Sequence, residues 1–433
     1  MFRLLRQRNF FLLWVGQFIS IIGDWVLFIA LPFYTYSLTG SVLATGAMFI
    51  VSTLPRLVLG SVAGVFVDRW DRKRTMIIAD MLRVLLILML VFVKSPDWLW
   101  LIYVSACLES IVSQFFNPAK TAIIPLLVGE KDLLAANSLN GLSDALTRLI
   151  GSALGGTLMG WLGFSSVVLL DAGSFLISAI LILLIAMPAR PNSSGVRPAA
   201  RSEVAPVPVA GGILGVWQDW VVGLRLVKRE RLLLMLFIVL GVAFLSDSMI
   251  SVLIVPLVKV LMGGGAQLLG WLMMAQGVGG LLGGLLVGQI GNRFPPRRIA
   301  ALGLVGTGIV IFFIQGYPRS VLVMPFMAVA GVAVSAWLIS SETLMQLGVS
   351  DQFRGRIFGT LGTTSALASL VGMLLASVLT DLVGLVLILG ISGGLYVVSG
   401  ILAWLMLPRT QQFHLGRPAT VENELSSLQT SSL

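Results

Sequence analysis

The chain has 433 residues, of which 57% are hydrophobic and 11% charged; mean hydropathy is +0.98, against a charged fraction of roughly 25% in soluble domains. That composition excludes an ordinary water-soluble fold and points to an all-α polytopic membrane protein. The net charge of +10 would suit a nucleic-acid binder, but the bases gather on one side of the apolar runs, which excludes that partner as well.

Residues 1–9 carry Arg3, Arg6 and Arg8. The apolar stretch after them is long and lacks a small-residue cleavage site, so it reads as a first span rather than a removed signal. Apolar segments of about 20 residues then predict twelve spans, near residues 10–37, 42–67, 75–93, 98–117, 138–161, 167–187, 232–257, 268–290, 299–315, 321–345, 357–379 and 385–407. With the N-terminus inside, only Lys94, Lys259 and Arg319 fall in far-side loops, and Arg56, Arg83 and Arg148 fall within spans; the rest of the 29 basic residues lie on the inner side. This positive-inside bias predicts a multi-pass protein of the cell membrane with both termini cytoplasmic.

Residues 188–231 form the long internal linker. Its front is too polar and Pro-rich to pack a core. Its back, with Trp217 and Trp220 beside Lys228, Arg229 and Arg231, predicts an amphipathic helix on the inner leaflet. Residues 409–433 are a polar tail. The expected organisation is a six-helix bundle over 1–187, the linker, a second six-helix bundle over 232–408, and the tail. A shift of 223 residues relates the bundles: Asp24 follows Arg8 by the same interval as Asp247 follows Arg231, and GVFVDRWDRKR finds a faded copy in GQIGNRFPPRR, where Asn292 replaces the acid and one residue has been inserted. Such offsets predict two pseudo-symmetric bundles from a duplicated unit.

Ionisable groups inside spans are costly and must face protein or water. Asp24, Arg56, Glu109, Arg148 and Asp247 count to the middle of their spans, with Asp144 one turn below Arg148. The fourth span carries Ser105, Glu109, Ser113 and Asn117 at four-residue intervals, a stripe that predicts a cavity lining. Gln17, Ser20 and Asp24 make a similar stripe in the first span. By depth, Asp24 is expected to pair with Arg56 and Glu109 with Arg148, while Asp247 lacks a basic partner. Asp24, Glu109 and Asp247 are thus the candidate proton-coupling or substrate residues, with Arg56, Arg148 and Asp144 tuning their protonation. Mutual neutralisation and helix tethering is the competing structural role for the paired residues. Gly151, Gly155 and Gly156 are expected at helix crossings.

Cys107 is the one cysteine and His414 the one histidine, so a disulfide and a Cys-built metal site are not expected. No nucleophile constellation or phosphate-cradling loop appears. An enzyme is therefore not expected, nor any cofactor, with a proton gradient as the energy source.

Gly64, Asp68, Arg69, Asp71, Arg72 and Lys73 resemble the G-x-x-x-D-R-x-[GD]-R-[KR] signature between the second and third helices of the major facilitator superfamily. GSALGG at 151–156 resembles the G-P-x-x-G-G motif of drug/proton antiporters, with Ser152 in place of Pro. GDW at 23–25, FFNPAKTAIIP at 115–125 and FRGRIFG at 353–359 are similar to the macrolide-efflux and siderophore-exporter relatives. The resemblance implies a secondary exporter, a proton-coupled antiporter of a bulky hydrophobic compound such as a macrolide. The alternatives are export of a siderophore, lysophospholipid movement between leaflets, or a non-transporting sensor or scaffold. It also implies that the signature loop stabilises the outward-facing state. Asp68, set against the start of the eleventh helix and Arg356, is expected to act as a cytoplasmic latch. The expected partners are the hydrophobic substrate, protons and lipid, with one chain sufficient.

Overall fold

The computed structural model describes residues 2–59, 63–67, 69–186, 220–221, 223–225, 227–228, 230–291, 293–319, 321–349 and 354–407. Most of the expected linker, the tail and Asp68 lie outside them.

Twelve long helices occupy the described residues: α1 (Arg8–Thr39), α2 (Val42–Leu59), α3 (Arg72–Leu88), α4 (Leu99–Val128), α5 (Leu133–Leu162), α6 (Phe164–Leu183), α7 (Arg231–Pro256), α8 (Ala266–Ile290), α9 (Pro296–Gly316), α10 (Val323–Gly348), α11 (Arg354–Val383) and α12 (Leu385–Met406). Eleven helical stretches are long and apolar enough to cross a membrane; α5 is not among them. At 30 residues it reaches about 45 Å, but Asn137, Asn140, Asp144 and Arg148 dilute its apolar character. It lies against α1 and α8.

Local chemistry sets several boundaries. Gly40, at φ +65°, closes α1 by donating its N–H to the Tyr36 carbonyl, the left-handed cap that glycine adopts without steric cost. Asp71 starts α3 by accepting from the Arg74 N–H at 2.8 Å, an N-cap that satisfies one of the helix's free donors. The fourth helix runs beyond the expected end near residue 117, through Pro118 and Pro125 to Val128. FFNPAKTAIIP is therefore helical rather than a connecting segment.

The duplication predicted from the 223-residue offset governs the packing. In the first half α1 packs on α5 and α6, α3 on α4 and α6, and α2 on α4; in the second, α7 packs on α11 and α12, α9 on α10 and α12, and α8 on α10. The two main contacts between halves, α5 with α8 and α2 with α11, are related by the same symmetry. Capping repeats too. Lys73, at the start of α3, donates to the carbonyls of Leu183, the last residue of α6, and of Ile185 just beyond it, both at 2.8 Å. Arg297, at the start of α9, donates to the carbonyls of Trp404 in α12 and of Leu407 just after it, at 3.2 and 2.7 Å. In each half a base neutralises the negative C-terminal end of the last helix.

The hydrophobic core is divided in a way that matters for function. One cluster takes residues from both halves, among them Val26, Phe49, Val252, Leu269 and Ala376. It lies toward the end where α1 finishes and α2 begins. Two further clusters, one within each half, lie at the opposite end, which carries Arg8, Arg72, Lys131, Arg231 and Arg297. Among the described residues the halves thus share a core at one end and hold separate cores at the basic end. Lys259 reinforces the joined end, reaching from beyond α7 to the Ser37 hydroxyl at 2.9 Å and lying 5.7 to 5.8 Å from the Tyr36 and Phe33 ring centres.

Candidate functional site

The buried charge of the first half centres on Arg83, a residue to which the sequence pattern assigned no role. Its guanidinium lies 3.5 Å from Asp80 and 3.6 Å from Glu109 and donates to the Ser113 hydroxyl at 2.6 Å. Ser113 in turn donates to Glu109 at 2.8 Å. The Phe116 and Phe175 rings face the guanidinium at 4.6 and 5.1 Å, a geometry that favours a delocalised cation. On the far side Ser178 donates to Asp80 at 2.7 Å and Gln17 donates to Ser178 at 3.2 Å. One network therefore ties α1, α3, α4 and α6 at mid-depth.

The expected ion pairs are not those the structure forms. Glu109 pairs with Arg83 rather than Arg148, and Arg56 is exposed on α2 with no ion pair among the described residues. The cause is packing order. The main neighbours of α1 are α5 and α6, those of α4 are α2 and α3, and α1 with α2 or α4 with α5 touch only lightly. Adjacency in sequence is not adjacency in the bundle.

Asp24 opens into a chamber of about 250 Å³ inside the first half, lined also by Glu109 and Asp171. Asp171, likewise absent from the sequence-derived candidates, is fully buried, and its Oδ2 has no hydrogen-bond partner among the described residues. Gly23 makes this possible: a Cβ there would collide with the Asp171 and Ser174 side chains, so the missing side chain lets α6 set its acid beside Asp24.

A larger cavity of about 380 Å³ lies between the halves. Trp25, Phe28 and Phe49 line it from the first half, and Met273, Met327 and Trp337 from the second. Arg148 and Asp247 both face it without approaching within ion-pair distance of each other. Arg148 lies 5.4 Å from the Trp25 ring centre. Asp247, expected to stand without a partner, accepts from the Tyr396 hydroxyl at 2.7 Å; nothing in the sequence marks Tyr396, which comes from α12. Asp144 is exposed and lines neither cavity.

The glycines of GSALGG sit at crossings. A Cβ on Gly155 would come within 2.7 Å of the Val26 carbonyl, and one on Gly151 within 2.5 Å of Trp25, both on α1; one on Gly156 would come within 2.5 Å of the Ala266 carbonyl of α8, across the junction of the halves. Of the signature loop, Gly64 falls in the short helix Ala63–Val67 and Arg69 is exposed. Arg72 donates to the Ala122 carbonyl at 3.1 Å, so with Lys73 it braces the first half internally. Asp68 and the Arg356 side chain lie outside the described residues. Among those residues no group of three or more His, Cys, Asp or Glu is placed to hold a metal ion.

The Major Facilitator Superfamily family model matches residues 13–253 and again 236–430. The chain belongs to this superfamily. Superfamily relatives include the uncharacterized transporter YfiS of Bacillus subtilis (strain 168), 28% identical with 92% of each chain covered, and macrolide efflux protein A of Streptococcus pyogenes, 24% identical over 87% of this chain and 90% of the relative. The multidrug efflux pump Tap of Mycolicibacterium fortuitum is 28% identical over 84% and 87%. The superfamily fold is also that of the nucleoside transporter NupG (TM-score 0.73, 13% identity, 93% of this chain and 100% of that one). A bacterial homologue of the iron transporter ferroportin in an inward-facing state matches at TM-score 0.71, with 14% identity over 94% and 99%. The chain is a multi-pass transporter rather than an enzyme.

Proposed function

We propose that the chain is a secondary exporter that moves a bulky, largely apolar compound outward by alternating access, driven by protons. One observation carries this reading: an aromatic and methionine-lined cavity lies between two halves that, among the described residues, share a core at one end only. A site between halves that are joined at one end and separate at the other is what alternating access requires. With the basic end cytoplasmic, as the positive-inside bias indicates, the core that the halves share lies at the outer end. Polarisable, flexible Met and broad aromatic faces suit substrates of varied shape. The relatives named for macrolide efflux and multidrug efflux support outward transport.

Proton coupling follows from charge. The first half sets Asp80 and Glu109 against Arg83 and brings Asp24, Glu109 and Asp171 to one chamber, a surplus of carboxyl groups at a depth where unneutralised charge is costly. Protons entering from outside neutralise Asp24 and Glu109 as substrate leaves; Asp247 works from the second half, where Tyr396 and Arg148 set its environment. Both cavities and the network lie within one chain, so a single copy suffices.

The test is growth of a pump-deficient host expressing the chain across a drug panel, with and without a protonophore. Resistance to at least one bulky hydrophobic drug, lost with the protonophore and with Asp247→Asn at equal protein level, is expected. Resistance insensitive to the protonophore would remove the proton, and no resistance to any compound would remove the exporter.

A further inference from the structure

The cavity between the halves presents two opposite charges that do not meet. Among the described residues that line it, Arg148 is the only base and Asp247 the only acid. Asp247 is engaged by the Tyr396 hydroxyl at 2.7 Å. Arg148, midway along α5, forms no ion pair and donates no side-chain hydrogen bond among the described residues. The Trp25 ring, 5.4 Å from its guanidinium, steadies the cation's orientation but accepts no N–H bond in the plane of the fork. A guanidinium at this depth is costly unless water or an anion meets its five donors. Gln276 of α8 lines the same cavity, and its side chain likewise has no hydrogen-bond partner among the described residues. The crossing of α5 and α8 sets Leu149 against Gly277, where a Cβ would come within 2.6 Å of the leucine side chain. Arg148 and Gln276, the residues just before these two in the chain, therefore approach the cavity from opposite sides of one crossing.

We infer that Arg148 and Gln276 bind a carboxylate carried by the exported compound. The planar guanidinium meets both oxygens of a carboxylate through paired N–H donors, and the Gln276 amide adds a neutral donor from the second half. One carboxylate balances one guanidinium; a doubly charged phosphate would leave a negative charge unmatched in a cavity that already holds Asp247. Beyond these groups the wall is mostly aromatic and aliphatic, with Trp25, Phe244, Met273 and Trp337 among its residues. Its volume of about 380 Å³ falls within the roughly 300–1,000 Å³ of sites that enclose a drug-sized ligand. The substrate class is therefore a bulky apolar monocarboxylic acid, gripped at its charged end by both halves. This rests on the export reading for assigning the cavity to substrate.

The test is equilibrium binding to purified full-length protein, which does not depend on transport: scintillation-proximity titration with tritiated 1-pyrenebutyrate and, separately, with tritiated 1-pyrenebutanol, a neutral analogue of the same bulk. The acid should bind saturably and about tenfold or more tightly than the alcohol, the gain expected of a charge-assisted hydrogen bond. Arg148→Gln should weaken acid binding about tenfold and leave the alcohol at its parent affinity, a split that loss of folding would not produce. Gln276→Leu should weaken acid binding about fivefold, the loss of one neutral donor. Should Arg148→Gln fail to fold, Arg148→Lys decides: it keeps the charge without the fork, and the acid's advantage over the alcohol should fall. An acid bound no better than the alcohol, or undiminished acid binding in the Arg148 or the Gln276 variant, overturns the assignment. Arg148-dependent acid binding without efflux of any compound would overturn the export reading instead.

Discussion

Replacing Arg83 by Met keeps an unbranched stem, shorter by the guanidinium head, and removes the charge. In the structure this leaves Asp80, fully buried, without the guanidinium at 3.5 Å, and Glu109 without its only ion-pair partner among the described residues. Removing one member of a buried pair costs about 3–5 kcal/mol, because the remaining charge stays desolvated and uncompensated. The lost donation to Ser113 adds about 1 kcal/mol. Arg83→Lys keeps the charge but not the planar fork that meets Asp80, Glu109 and Ser113 together, and should cost roughly 1–2 kcal/mol. The assay is denaturant unfolding of the purified protein in detergent, followed by tryptophan fluorescence. Pairing Arg83→Met with Asp80→Asn should recover about 1–3 kcal/mol relative to the sum of the single changes. Parent-like stability of Arg83→Met, or strict additivity of the pair, would refute the claim that Arg83 holds the first half's acids together.

Lys259→Met should loosen the end where the halves share a core. Paired spin labels there, in a Cys107→Ser background, should show a larger population of long distances by electron–electron resonance. Gly156→Leu should act in the same direction more strongly, since the crossing with α8 admits no Cβ without displacement. Lys73→Met and Arg297→Met should each lower unfolding stability by about 0.5–1 kcal/mol, to similar extents, because the two bases cap the last helix of their halves in the same way. Tyr396→Phe removes the only hydrogen bond that a side chain donates to the Asp247 carboxylate among the described residues. It should change the transport KM for a hydrophobic substrate while leaving expression intact, and an unchanged KM would separate Asp247 from the substrate.

The fold was largely legible because its signals are one-dimensional. Apolar runs of spanning length, basic residues on one side and a nearly constant offset of 223 to 224 residues all survive without knowledge of packing. The partners of the buried charges were not legible, since they depend on which helices touch. Asp24 and Arg56 match in depth but sit on helices that barely meet, while Glu109 finds Arg83 because α3 and α4 pack along their length. Asp80 and Arg83 did leave a signal, an acid and a base three residues apart in an otherwise apolar run, as did Asp171, an acid inside α6. Tyr396 left none: its hydroxyl matters only because α12 lies against α7. The small-residue run GSALGG was readable as a crossing, but not that Gly156 faces the other half while Gly151 and Gly155 face α1.

The most direct test of the coupling account is drug-dependent proton movement in proteoliposomes of the purified protein, read with a pH-sensitive dye in the lumen under an imposed pH gradient. The parent protein should dissipate the gradient faster when a transported drug is added, and Asp24→Asn and Glu109→Gln should abolish that acceleration while still folding. Drug-dependent proton flux equal to the parent's in both variants would contradict it.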